Sequence, residues 1–394
     1  MHHLADSRSD SRNYWLLLAL GGVVAALGLA AAHFMESRGH IVTGMTNQVV
    51  WGLPHVFAIF MIVAASGVLN VASVASVFGQ AAYKPWARLS ALLCIALLAG
   101  GLMVLMLDLG RPDRVIVAAT HYNFSSVFAW NVFLYSGMVG LALVYLWTMF
   151  ERRMNVWTRP AGIAVLIWRL VLTTGTGSIF AFLVARQAYG SALLAPLFIV
   201  MSLTWGLAVF LVVQAAMLAW NGRRAAPEIE RRMARLLGVF VATALFFVAV
   251  HHVTNLYFAR QQAFERFILF DGGIFPGLFW GGYVLVGSVL PLILLLRPDP
   301  PGARATLIAA GLVVLGAFAW LYVFIVGGQA FPLDIFPGYV ASSSFADGAI
   351  SPYTPSLPEW LLGIGGVGAA FVITAAGVRV LDFMPPVDAG KAAA

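Results

Sequence analysis

The chain has 394 residues, of which 61% are hydrophobic and only 10% charged, with a mean hydropathy of +0.90 and a formal net charge of +7. That balance excludes a soluble globular domain, and the basic excess reads as a topology signal and attraction to anionic lipid, with no nucleic acid as partner. The single cysteine, Cys94, excludes an internal disulfide and an iron–sulfur cluster held by this chain alone, and no C-x-x-C-H haem-attachment run occurs.

Apolar runs of about 20 residues, each long enough to cross a hydrocarbon core of about 30 Å as a helix, recur about ten times. In chain order they are expected at about Tyr14 to Phe34, Gly52 to Phe78, Ala87 to Leu107, Ser126 to Phe150 and Gly162 to Ala185. The second five fall at about Leu193 to Ala219, Leu236 to Ala259, Ile274 to Leu296, Ala305 to Gly327 and Pro358 to Val378. The fold class is therefore all-α, a polytopic membrane protein. The first run is full length and follows a charged start, so it reads as a retained helix and not a cleaved signal.

An even helix count puts both termini on one side. Sixteen of the 23 Lys and Arg lie on that side, six lie on the other, and Arg169 alone falls within a span. Basic loops are retained in the cytoplasm, so the expected location is the bacterial cytoplasmic membrane with both termini inside. A faint repeat relates Leu53-Pro54-His55-Val56-Phe57 to Ala195-Pro196-Leu197-Phe198, at an offset of four helices. It suggests a tail (1–13), a four-helix bundle (14–150), a second bundle (151–297), two appended helices with a long outer loop (298–381, loop 328–357) and a tail (382–394).

Every Asp and Glu lies at or beyond the end of a span, and the ionisable groups gather on the outer side. His251 and His252 lie nine and eight residues before Arg260, so at 1.5 Å per residue His251 sits roughly 13 Å below the outer end of its helix. Intramembrane ionisable groups are expensive and mark function by default, although a neutral imidazole bonded to a neighbouring helix also satisfies the pattern. Asn255 follows His251 at i+4 and extends its polar face. His55 opens the second helix, Asp108 ends the third, and His121 lies in the loop that follows. Such groups suit a lipid-borne quinone, whose two ring oxygens each need a protonatable partner.

Deeper in the membrane, Ser66, Asn70 and Ser73 fall near one face of the second helix. Arg169 and Thr173 belong to the fifth. Together they form a candidate half-path for protons; small polar residues are also the usual glue between membrane helices, which is the preferred reading of the residues alone, and Arg169 also reads as a cation that snorkels to the headgroups.

The sharpest local motif is Leu107-Asp108-Leu109-Gly110-Arg111-Pro112-Asp113-Arg114. Gly and Pro stop the helix, and the two arginines are expected to hold Asp108 ionised. This run, followed by Asn123-Phe124-Ser125-Ser126 and Trp130-Asn131, resembles the NrfD/polysulfide reductase family of membrane subunits. Phe336-Pro337-Gly338-Tyr339, Tyr353-Thr354-Pro355-Ser356-Leu357-Pro358-Glu359-Trp360 and Trp51-Gly52-Leu53-Pro54-His55 further resemble its ten-helix branch, most closely the DsrP type of the sulfur-metabolism DsrMKJOP complex.

The resemblance implies a subunit without haem or iron–sulfur cluster of its own. It exchanges electrons between menaquinone or ubiquinone and an extracytoplasmic ferredoxin-like iron–sulfur subunit docked on the outer loops, alongside further redox subunits and membrane lipid. It places Asp108 and Arg111 in the quinone region, while His55, His121, His251, His252 and Asn255 join on chemistry and depth. Two other classes remain open on the residues alone: a haem b cytochrome, for which His55 with His251 or His252 is the conceivable ligand pair, and a secondary transporter.

Overall fold

The computed structural model describes residues 11–223, 225–297, 301–333, 339, 348–381 and 383. The terminal tails and most of the Phe331–Tyr339 run lie outside the described residues. Among the described residues ten helices are long and apolar enough to span a membrane. They are α1 (Arg12–Arg38), α2 (Leu53–Ser76), α3 (Ala81–Leu107), α4 (Val127–Phe150), α5 (Arg152–Ala181), α6 (Leu194–Trp220), α7 (Pro227–Tyr257), α8 (Ile274–Leu295), α9 (Ala303–Ala330) and α10 (Leu357–Val380). The protein is an all-α, multi-pass membrane protein. The expected spans all recur; α7 starts nine residues early because Pro227 at its first turn nucleates a polar extension through Arg235.

Proline starts several of these helices where a missing N–H costs nothing: Pro54, Pro85, Pro227 and Pro358 all sit in first turns. α3 stops at Asp108, and Gly110, at φ 69°, turns the chain before Pro112.

Lipid gives helices no hydrophobic reason to associate, so they meet where small residues let backbones approach. A methyl group on Gly67 of α2 would overlap the Ser202 carbonyl of α6, and one on Gly206 would overlap the backbone of Gly67. Gly28 of α1 faces Gly365 of α10 in the same way, with 2.7 Å from an added Cβ to the Gly365 Cα. α2 is the central helix, buried along nearly its whole span and packed on α3 and α6. α1 is mostly exposed and packs chiefly on α10, and α9 packs on α6 and α8. These contacts cut across the divisions suggested by the repeat, because the first helix leans on the last.

Among the described residues three segments depart from α-helical hydrogen bonding into π-helix: Phe267–Asp271, Gly277–Val289 within α8, and Val323–Gly327 within α9. Such segments are uncommon and concentrate at functional sites.

Candidate functional site

The structure brings His55 and Asp108 together. The first turn of α2 and the last residue of α3 place His55 Nδ1 2.7 Å from Asp108 Oδ2, with the carboxylate fully enclosed and the imidazole about one-eighth exposed. The contact is short yet bent away from a linear hydrogen bond, and neither Asp108 oxygen has a hydrogen-bond donor from the chain. A buried acceptor without a donor is costly, so this carboxylate is poised to receive one. Trp51 stacks on the imidazole at 5.9 Å between ring centres, and also touches Phe128 and Phe180. Phe128 is about half exposed on the membrane-facing surface, so the corner borders lipid.

The approach to α2 is fixed by two polar latches. The Gln329 side chain accepts from the Val50 and Trp51 amides at 3.1 and 3.0 Å and donates to the Trp51 carbonyl at 3.0 Å. Glu359, fully buried, accepts from the amides of Gly44 and Ser356 at 2.8 and 2.7 Å and from the Tyr353 hydroxyl at 2.6 Å. Tyr353 in turn accepts from the Leu53 amide at 2.6 Å. Burial and the Glu359 carboxylate together push the Tyr353 hydroxyl well above its ordinary pKa, so it stays a donor. Gly52 is required here, because a Cβ would sit 2.5 Å from Glu359 Oε1.

Arg111 does not hold Asp108. It lies exposed and makes a two-pronged contact with Asp113 at 3.1 Å to each oxygen, because the turn at Gly110 swings it outward and Asp113 is only two residues on. His121 is also exposed, its Nδ1 3.0 Å from the Thr120 hydroxyl, apart from the His55–Asp108 contact. Sequence reasoning overlooked His40, which packs over Gly110 with its Nε2 enclosed and unpartnered. A histidine at a loop start carries no periodic signal that would have found it.

His251, His252 and Asn255 form a second, separate cluster with a residue the sequence left among the loop positions. Glu265, fully buried on the short helix Gln262–Arg266, lies 2.6 Å from His252 Nδ1 and accepts from Asn255 Nδ2 at 2.7 Å. Asn255 also lies 3.3 Å from His251 Nε2. Thus the absence of carboxylates from mid-span holds, yet Asp108, Glu265 and Glu359 at span ends all turn inward. The signal for Glu265 was present in its apolar neighbours Phe264, Phe267 and Ile268, all of which are buried. A ring series, Trp51 to Phe180 to Phe324 to Trp320, lies between the two clusters, and Tyr283 and Phe279 extend it to His252.

Of the deeper polar residues, Ser66, Thr173 and Arg169 meet. The Ser66 and Thr173 hydroxyls are 2.7 Å apart, and Arg169 donates to the Ser66 carbonyl at 3.2 Å. Arg169 is buried, and among the described residues no carboxylate lies within ion-pair distance of it. Asn70 bonds back to its own helix at the Gly67 carbonyl, 2.6 Å away, and the Ser73 side chain is buried further along. A groove of 940 Å³ opens on the side of the termini, between α1, α2, α3, α6, α9 and α10. Its walls are apolar apart from rim residues such as Tyr14, Asn221 and Arg379, which suits lipid chains and supplies no acid–base pair.

These observations define a multi-pass membrane protein whose buried His–carboxylate pairs collect toward one face. The chain belongs to the NrfD family: the family model described as Polysulphide reductase, NrfD matches residues 41–333. It is 30% identical to the Hdr-like menaquinol oxidoreductase integral membrane subunit of Archaeoglobus fulgidus, with 95% of each chain covered. It is 27% identical to a putative dimethyl sulfoxide reductase membrane subunit of Halobacterium salinarum, over 91% of this chain and 90% of that one. It is 23% identical to the protein NrfD of Escherichia coli, over 72% of this chain and 96% of that one.

Proposed function

We propose that the chain is the quinone-reactive membrane subunit of a multisubunit oxidoreductase, passing electrons between a membrane quinone, menaquinone or ubiquinone, and an iron–sulfur subunit docked on the outer side. The His55–Asp108 pair carries this reading: it is buried, borders lipid at Phe128, and offers unfilled acceptor capacity. Its relatives' names, which include a menaquinol oxidoreductase subunit and a dimethyl sulfoxide reductase subunit, support the class. The basic bias of the loops supports termini in the cytoplasm, which makes the His55 side the outer one.

A quinol supplies two electrons and two protons, so the subunit's task is to hold the ring and take the protons. With Nδ1 turned toward Asp108, His55 presents Nε2 as the acceptor, and the carboxylate fixes the ring and stabilises it once protonated. Trp51 supplies a flat wall beside it. His40 is a further protonatable group in the same corner. The ring is assigned here and not at His251 and His252, because the space beside those histidines is only 20 Å³, room for about one water. Exposed apolar side chains on the outer segments, Ile41 at 90% and Ile116 and Phe124 at 72%, suit a docked partner. The DsrP-like motifs make a sulfur-linked complex the first to test by co-purification.

The test is Asp108→Asn and His55→Ala in the assembled complex. Quinol-linked electron transfer is expected to fall by about a hundredfold or more, the scale of general acid–base catalysis, with partner subunits still co-purifying. Unchanged turnover in both variants overturns the assignment. The Ser66, Asn70, Ser73, Arg169 and Thr173 series is proposed as the inner half of a proton path. If it is one, Thr173→Val lowers proton uptake per electron in reconstituted vesicles without lowering quinol turnover.

A further inference from the structure

Glu265 lies outside the quinone assignment, and its surroundings are unusual in three independent ways. Its carboxylate is fully buried, held by His252 at 2.6 Å and Asn255 at 2.7 Å. The 20 Å³ cavity beside His251 and His252 is bounded by Ile268, Phe279, Val323 and Phe324, so all three π-helical segments contribute to one wall. π-Helix sacrifices regular bonding, and three such segments converging on one small cavity indicate a geometry held for a purpose. His251 Nδ1, about nineteen-twentieths buried, is without a hydrogen-bond partner in the same region.

The cluster also has a way out. Asn255 lines a second cavity of 420 Å³ with Ser191, Thr254, Arg260 and Gln261, on the side where α7 ends. One residue therefore bonds to the buried carboxylate and lines the surface cavity. We propose that Glu265 and His252 form a second proton-holding site, distinct from the quinone site, which exchanges its proton with water admitted past Asn255 from the outer aqueous phase. The proton passes between Oε2 and Nδ1, and a water that enters past the Asn255 amide from the larger cavity takes it from the Glu265 carboxyl or returns it there; Asn255 only donates a hydrogen bond to Oε1, no electron moves and no covalent bond other than to hydrogen changes.

The titratable and charged groups around the pair are few. His251 lies on the same helix, Tyr283 comes from α8, Tyr189 from the loop before α6, and Arg260 from the outer cavity rim. Arg266 is turned away and held by Asp271 at 2.6 Å. The facing parts of α6 and α9 contribute Leu197, Trp320, Val323 and Phe324, none of which titrates.

Infrared difference spectra of the full chain in lipid nanodiscs, recorded between about pH 5 and pH 9, test this directly. A protonated-carboxyl C=O band is expected that shifts in D2O, vanishes in Glu265→Gln, moves in frequency in Glu265→Asp, and titrates at a different pH in His252→Gln. If Glu265→Gln fails to fold, the Glu265→Asp frequency shift carries the assignment. A band that ignores all three substitutions, or that appears but does not respond to D2O within the measurement, overturns the proposal. Neither readout involves quinol turnover, so failure here is separable from failure of the quinone site.

Discussion

Glu359→Ala is expected to be among the most damaging single changes outside the redox chemistry, because one carboxylate joins three stretches of chain. It accepts from Gly44, Ser356 and Tyr353, and through Tyr353 it reaches the Leu53 amide at the start of α2. Hydrogen bonds to a charged group contribute about 1.5–3 kcal/mol each, so losing three and stranding their donors costs roughly 4.5–9 kcal/mol. Glu359→Gln separates charge from shape. The amide oxygen can accept from both backbone N–H groups while its NH2 faces the Tyr353 oxygen, leaving only the tyrosine proton unplaced, for about 1.5–3 kcal/mol. Unfolding of the purified protein by sodium dodecyl sulfate in mixed micelles, followed by tryptophan fluorescence, reads both. The ranking expected is wild type, then Gln, then Ala, with Tyr353→Phe close to Gln. An alanine variant as stable as wild type refutes the reasoning, since it would mean that water replaces all three bonds.

Other substitutions divide the motif residues by role. Arg111→Ala and His121→Ala are expected to keep quinol turnover within about threefold of wild type while Asp108→Asn does not, because neither side chain reaches the carboxylate; steady-state kinetics of the three variants decides it. Gly67→Val is expected to abolish the monodisperse peak in detergent size-exclusion chromatography, since its side chain has no space against Ser202, whereas Gly22→Ala, with open space around it, leaves the peak unchanged. Asp113's carboxyl is held below its ordinary range, chiefly by its hydrogen bond from Arg111. A depressed carboxyl contributes above its unfolded pKa of about 3.9 and loses that contribution as pH falls through the lower folded value. The pH dependence of stability between pH 7 and pH 5 should therefore be unchanged by Asp113→Asn, and the small constant offset it leaves should shrink in high salt, because the pair is exposed.

Hydrophobic run length made all ten helices readable, because in lipid a helix must satisfy its own backbone and so announces itself by composition. His55 and Asp108 were readable individually, since each ends a helix on the same side. Their direct contact was not, because it depends on how α2 and α3 lie against each other, which small residues such as Gly101 decide by contact with Ala58 and Met61. Arg111 shows the reverse error: proximity in sequence suggested a partner for Asp108, and one positive-φ glycine sent the guanidinium to Asp113 instead. Glu265, beyond the end of a span, and Glu359, in the first turn of the last helix, carry no periodic sign of facing inward. Both lie among apolar neighbours, Phe264 and Phe267 for one and Leu357, Trp360 and Leu361 for the other, and that company is the physical sign of burial.

The two His–carboxylate pairs differ in what surrounds them, and the difference separates their roles. His55–Asp108 borders lipid and leaves acceptor capacity open, so an apolar hydrogen-bond donor can approach it sideways. His252–Glu265 is held around its carboxylate by Asn255, which also lines the 420 Å³ surface cavity, while the space beside the histidines themselves is 20 Å³ and takes about one water. The aromatic residues between them are packed in van der Waals contact, and a close-packed series of rings transmits displacement more readily than loosely packed chain. Phe324→Ala, which opens a gap in the middle of that series, therefore discriminates coupling from independence. If occupancy at Trp51 is felt at Glu265, the infrared carboxyl band of the wild type shifts when a quinone-site inhibitor binds, and the shift is lost in Phe324→Ala. A band indifferent to the inhibitor in the wild type means that the two pairs work independently.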